Sequence, residues 1–288
     1  MRFMLMIKGN KDSEAGVMPT PELLVAMGKF NEELIASGAM VAGEGLHPTS
    51  NGFRLVNARG KITVTDGPFT EAKEIVAGFW ILDLPSKEDA VAWAKKVPFE
   101  AGAVSNDPNA KGQIEIRAMH DPGPMPGALK DDSAPKNKPI GTSKTKPKIR
   151  YFMAFKGDAN SEAGVMPPVE TMQAMGVLMD DLAKSGALVD GGGLSPSKYG
   201  ARVFYDAGKR TVTDGPFAEA KELIAGYCIV DVDSQEEALA WARRGVEVNG
   251  DCLSEVRRVY GAADFGDLQN QVPEVFEKER AFRERTES

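Results

Sequence analysis

Thr63-Val64-Thr65-Asp66-Gly67-Pro68-Phe69 recurs as Thr211-Val212-Thr213-Asp214-Gly215-Pro216-Phe217. Working outward, Ser13-Glu14-Ala15-Gly16-Val17-Met18-Pro19 recurs as Ser161 to Pro167, and Arg2-Phe3-Met4 aligns with Arg150-Tyr151-Phe152. The offset is 148 residues in each case, and it holds without a gap to Trp93 and Trp241. Beyond that point the first copy carries extra residues, around Phe99 to Lys111. Two long repeats in constant register mean a duplicated domain, since a solenoid needs several shorter units.

Each copy reads as the same series of elements. Phe3 to Lys8 is a mostly apolar strand, suited to the middle of a sheet. Thr20-Pro21-Glu22 places a capping hydroxyl, a first-turn proline and a first-turn acid at a helix start. Leu23, Leu24, Met27, Phe30, Leu34 and Ile35 then recur on one helical face, and Gly38 ends it as Gly186 does in the second copy. Met40 to Leu46 follows. Phe53 to Asn57 and Lys61 to Thr65, joined at Arg59-Gly60, form a hairpin. Ile75 to Leu84 is another apolar strand. Ser86 to Asp89 and Ser234 to Glu237 open a second helix with a capping serine and an acid three residues on. Gln113 to Met119 and Leu253 to Val259 close the units.

The order β-α-β-β-β-β-α-β is a ferredoxin-like unit with an added hairpin, an α+β fold. One sheet with helices on a single face leaves its other face in need of a cover. Two such units in one chain can cover each other, as an internal pseudo-dimeric α+β barrel. The expected organisation is a first unit at 1–120, a linker at 121–148, a second unit at 149–263 and an amphipathic tail helix at 264–288. The linker contains six prolines (Pro122, Pro124, Pro126, Pro135, Pro139, Pro147) and six lysines, and reads as a solvated tether. The tail sets Val272, Val275, Phe276 and Phe282 among Glu and Arg residues. It either docks within the chain or mediates contact with another protein.

Composition narrows the function classes. The chain has 288 residues, 42% hydrophobic and 27% charged, with a net charge of −7. That charge disfavours a general role on nucleic acid or an anionic membrane surface. No run approaches the roughly 20 apolar residues that span a bilayer. Two cysteines, both in the second copy, make no disulfide framework and suit a reducing cytoplasm. Two histidines and two cysteines without ligand spacing argue against zinc, and no dinucleotide or P-loop fingerprint is present, so no cofactor is expected. Gly191-Gly192-Gly193 lacks the lysine of a phosphate loop, and no Gly-x-Ser-x-Gly elbow occurs.

Thr65-Asp66-Gly67-Pro68-Phe69-Thr70-Glu71-Ala72-Lys73-Glu74, its twin, the Ser-Glu-Ala-Gly-Val-Met-Pro loop and Gly43-Glu44-Gly45-Leu46-His47-Pro48 together resemble the DGPF group of YCII-related proteins, over almost the whole of both copies. The resemblance implies a dimeric α+β barrel, mostly without assigned function. It also implies small-molecule enzymes among wider relatives, a His/Asp pair in some of them, and bacterial genes close to extracytoplasmic-function sigma factors. The family's histidine lies on the first helix. Neither Thr20 to Gly38 nor Pro168 to Gly186 contains one, so that dyad does not carry over.

The candidate chemistry is therefore read from this chain. His47, one of two histidines, ends a strand in a glycine-rich segment and is the proton shuttle of choice near neutral pH, with Glu44 or Asp66 to orient it. The second copy has Ser195 and Gly192 in place of His47 and Glu44, so only one copy would be active. Asp66 and Asp214 are either site carboxylates or turn-capping devices. Glu71 and its neighbours either orient Arg54 and Arg202 across the hairpin or are a solvated turn. Glu14 and Glu162 either line a ligand site or pack a connection. The expected partner is a small organic molecule, bound by a monomeric pseudo-dimer or a homodimer. Two functions stay open: a cofactor-independent acid/base enzyme, or a non-catalytic binding module tied to transcription control.

Overall fold

A computed structural model describes residues 1–69, 75–99, 111–120, 148–218 and 222–287. The linker at 121–147 and Glu71 lie outside the described residues. The first copy runs β1 (Arg2–Lys8), α1 (Lys11–Glu14), α2 (Pro21–Ala36), β2 (Met40–Gly45), β3 (Gly52–Ala58), β4 (Lys61–Asp66), β5 (Val76–Asp83), α3 (Lys87–Ala94) and β6 (Gly112–Ala118). The second runs β7 (Ile149–Lys156), α4 (Ala159–Ala163), α5 (Val169–Ser185), β8 (Leu188–Gly193), β9 (Ala201–Asp206), β10 (Lys209–Asp214), β11 (Ile224–Val232), α6 (Gln235–Asn249) and β12 (Cys252–Arg258). After it come α7 (Leu268–Gln271) and α8 (Pro273–Glu287). The short helices α1 and α4 in the repeated loop are additions to the sequence reading. Each starts on an Asn10 or Asp158 capping box with Ser13 or Ser161.

The caps behave as their chemistry dictates. Thr20 Oγ1 accepts from Leu23 N (3.2 Å), Ser86 Oγ from Asp89 N (3.1 Å) and Ser234 Oγ from Glu237 N (3.2 Å). Arg59 and Gly60, and Ala207 and Gly208, all have positive φ, the pairing that a two-residue hairpin requires.

The strands form two antiparallel six-stranded sheets, ordered β10-β9-β6-β1-β5-β2 and β4-β3-β12-β7-β11-β8. The copies exchange their hairpins. β3 pairs with β12, with Leu55 opposite Ser254, and β9 pairs with β6, with Val203 opposite Ile114. Leu46, just past β2, bridges Val259, and Met119 bridges Leu194, so each chain segment passes from one sheet to the other at a seam.

Strand alternation sorts the core into three layers. Phe3, Leu5 and Ile7 of β1, with Trp80 and Leu82 of β5, face α2 and α3. Tyr151, Met153, Cys228 and Val230 face α5 and α6. Between the sheets, Met4, Met6, Phe79, Ile81, Phe152, Tyr227 and Ile229 fill the barrel interior, all at most 4% exposed. Phe79 and Phe152 meet at its centre, ring centroids 4.8 Å apart. The unit is α+β, two ferredoxin-like copies covering each other. No helix among the described residues is long and apolar enough to cross a membrane.

The tail helix docks on the opposite copy. Val275 sits 3.2 Å from where a Cβ would stand on Gly28 of α2, so the glycine permits the close crossing. Phe276 is buried, packing on Phe265 at 5.2 Å between ring centroids. Lys278 pairs with Glu32, and Arg283 reaches Glu44 at 2.8 Å.

Candidate functional site

The repeated motif closes a ring of polar contacts at each end of the barrel. In the first, a 3-10 turn at Thr49–Asn51 redirects the chain from β2 to β3. Glu14, presented by α1, accepts from Thr49 N and from Thr49 Oγ1 (2.5 Å). Phe69 N donates to the same Thr49 Oγ1 (3.1 Å). Gly67, whose bond to Pro68 is cis, lies against this turn so closely that a Cβ would fall 1.8 Å from Thr49 O. The Phe69 ring carries the Arg54 guanidinium at 4.0 Å. Arg54 donates twice to Glu255 (3.0 and 2.8 Å), Arg257 donates to the other Glu255 oxygen (3.1 Å), and Arg257 contacts Glu14 (3.5 Å). Glu14, Thr49, Arg54 and Phe69 belong to the first copy, Glu255 and Arg257 to the second.

The second ring repeats the plan. Glu162 accepts from Ser197 N and Oγ, Phe217 N donates to Ser197 Oγ (2.9 Å), and Phe217 carries Arg202 at 4.1 Å. Arg202 donates to Glu115 (2.8 Å), and Arg117 bridges Glu115 and Glu162. Burial would raise the Glu115 carboxyl, but Lys8, Arg117 and Arg202 bring it down to about 2. Glu255 is lowered in the same way: burial opposes, while Lys156, Arg257 and Arg54 prevail.

The expected residues therefore separate. Glu14 with Arg54, and Glu162 with Arg202, join the rings. Arg54 and Arg202 find their carboxylates on the partner copy's closing strand. Asp66 and Asp214 are exposed at the ends of β4 and β10, and Asp214 pairs with Lys87 (2.7 Å). Glu44 lies apart from His47, held by Arg150 (2.8 Å) and Arg283. Burial would raise its carboxyl, but Arg283 and then Arg150 hold it below the usual range.

His47 is 7% exposed. Its carbonyl accepts from Arg257, which ties it to the first ring. Its ring stacks on Tyr260, centroids 3.8 Å apart. Nε2 stands 3.2 Å from Asp264 Oδ2, a pair that carries opposite charges only when the ring is protonated. Asp264 is fixed in turn by Arg258 (2.8 Å) and Gly261 N (2.8 Å). Asn51 Nδ2 lies 3.5 Å from Nδ1. Burial pushes the imidazole below its ordinary value, and Asp264 opposes that only in part. The imidazole is thus neutral at neutral pH and oriented by a carboxylate, as a general base needs.

Sequence reasoning missed Glu255, Arg257, Glu115, Arg117, Asp264 and Tyr260. The Glu-x-Arg pair on each closing strand was visible, but its offset is 140 residues (115 to 255), displaced from the main register by the extra residues of the first copy. Tyr260 follows the last strand and stands where the first copy has His120, at the same 140-residue offset, and Asp264 lies beyond the second unit.

A family model described as the YCII-related domain matches residues 1–110 and 150–260. An uncharacterized protein of Rhizobium meliloti (strain 1021) is 34% identical over 83 residues, which cover 28% of this chain and 61% of that relative's length. Among solved structures, a putative chlorite dismutase aligns over 94% of this chain and 98% of its own at 12% identity and a TM-score of 0.36. A mutant chlorite dismutase from Candidatus Nitrospira defluvii aligns over 95% and 94% at 8% identity and a TM-score of 0.41. Likeness at that level carries no argument about chemistry.

Proposed function

This chain belongs to the YCII-related domain family, with the domain in tandem, and from that premise we propose that it binds a small organic molecule at the His47 end of its barrel and performs cofactor-independent acid/base chemistry there. The observation that carries the reading is the buried, neutral imidazole braced by Asp264 and Tyr260. The carboxylate beside Nε2 favours the tautomer protonated on that nitrogen. The Nδ1 lone pair then serves as the base, with the Asn51 amide beside it to hydrogen-bond an acceptor atom of the substrate. The opposite end has Ser195 in the place of His47, and its own histidine, His120, is exposed beside Gly193 without a buried carboxylate partner among the described residues, so that end serves as scaffold.

The test is deuterium exchange at the α-carbon of short keto acids in D2O, with the full chain and with His47→Gln. The reading expects His47→Gln to slow exchange about 100-fold or more. Equal rates would remove His47 from the chemistry. A second reading, a non-catalytic binding module in the cytoplasm, draws support from the barrel interior, which is filled by side chains. It expects no exchange above buffer in either protein.

A further inference from the structure

The two mouths of the barrel share one backbone plan and differ in side chains. Arg150 O accepts from Val259 N, and Arg2 O from Met119 N, both at 2.9 Å. Val259 bridges Leu46 as Met119 bridges Leu194. Arg2 therefore stands to Gly192 as Arg150 stands to Glu44.

At the first mouth the arginine is satisfied. Arg150 donates to Glu44 (2.8 Å) and doubly to Asp231 (2.8 and 2.9 Å), and Arg283 of α8 closes over the Glu44 carboxylate. The second mouth lacks the carboxylate, because residue 192 is glycine. The nearest atoms to a Cβ there would be Tyr227 Cε1 at 3.7 Å, Met119 Cε at 3.9 Å and Tyr227 Oη at 4.0 Å, all ordinary contacts. Asp83, the counterpart of Asp231, pairs with the Met1 amino group instead. Among the described residues Arg2 makes no hydrogen bond or ion pair through its side chain. Beside it the second copy replaces Ala42 and Phe79 by Asp190 and Tyr227, whose hydroxyl donates to the carboxylate at 2.6 Å. Arg2 is near enough to draw both of these groups downward in pKa, against the larger upward push of burial.

We propose that the second mouth binds a short aliphatic carboxylate, whose carboxylate group takes the place beside Arg2 that the Glu44 carboxylate holds beside Arg150. Glycine at 192 lacks the two methylenes and the carboxylate that Glu44 presents at the first mouth, so the ligand carries about two methylenes behind its charge. Those methylenes lie against Tyr227 and Met119. The guanidinium fork supplies charge-assisted hydrogen bonds to the carboxylate. The site is independent of the His47 reading and does not require it.

Propionate is the minimal probe. Titrated into the 15N-labelled full chain at constant ionic strength, it is expected to give saturable amide shifts centred on Gly191, Gly192 and Gly193. Gly192→Glu, which tethers the carboxylate in place, and Arg2→Met, at a partly exposed position, should each weaken these shifts at least about tenfold. No saturable shift at these glycines, equal shifts from sodium chloride, or unchanged propionate binding in Arg2→Met would each overturn the proposal. Arg2→Met decides the matter alone if Gly192→Glu does not fold.

Discussion

At the scale of single residues, His47 and Gly67 show how one repeat serves two purposes. Histidine-selective NMR should find that the His47 ring titrates below 6.5, because burial outweighs the pull of Asp264. Since the folded value is the lower one, this group's contribution to stability is full above 6.5 and is lost as pH falls through the folded value. Asp264→Asn removes the opposing pull and should move the midpoint further down; an upward move would reverse the assignment. Gly67 is set by contact. Its missing Cβ lies where the Thr49 carbonyl stands, so Gly67→Ala should cost on the order of 3 kcal/mol or more, read as a fall in the urea midpoint at constant slope. The sequence made the motif easy to see. It did not show that the motif's glycine and phenylalanine serve packing while its aspartate stays exposed, because that depends on the 3-10 turn from a distant segment.

At the scale of elements, α8 is the part that breaks the symmetry of the copies. Its amphipathic pattern was readable, and docking within the chain was one of two expected outcomes. Its target was not readable, because Gly28 and Glu44 gain their meaning only once the two copies are joined. Arg283→Ala leaves the buried Glu44 with Arg150 alone. The expected loss is about 2 kcal/mol, with faster proteolysis of the tail, measured by thermal unfolding and limited digestion. Glu44 has a folded pKa below its ordinary 4.5, so its contribution is full above 4.5 and is lost as pH falls through the folded value. The tail should therefore loosen on acidification and stay docked at neutral pH. Release of the tail as pH rises from 5 to 8 would contradict this sign.

At the scale of the whole molecule, the duplication, the α+β class and the mutual covering of the sheets were all legible in the repeat and in strand alternation. The hairpin exchange was not. A hairpin pairs equally well by local pattern with its own closing strand or with that of its twin, and only the seam at Leu46 and Val259 decides. The exchange matters for function because it builds each polar ring, and the surroundings of His47, from both copies. Neither copy then completes a site alone. The direct measurement is the solution mass of residues 1–120 and 149–288, prepared separately and then mixed. The exchanged barrel predicts that neither is a stable monomer and that mixing gives one cooperative 1:1 complex. Two fragments that stay folded, monomeric and apart would contradict it.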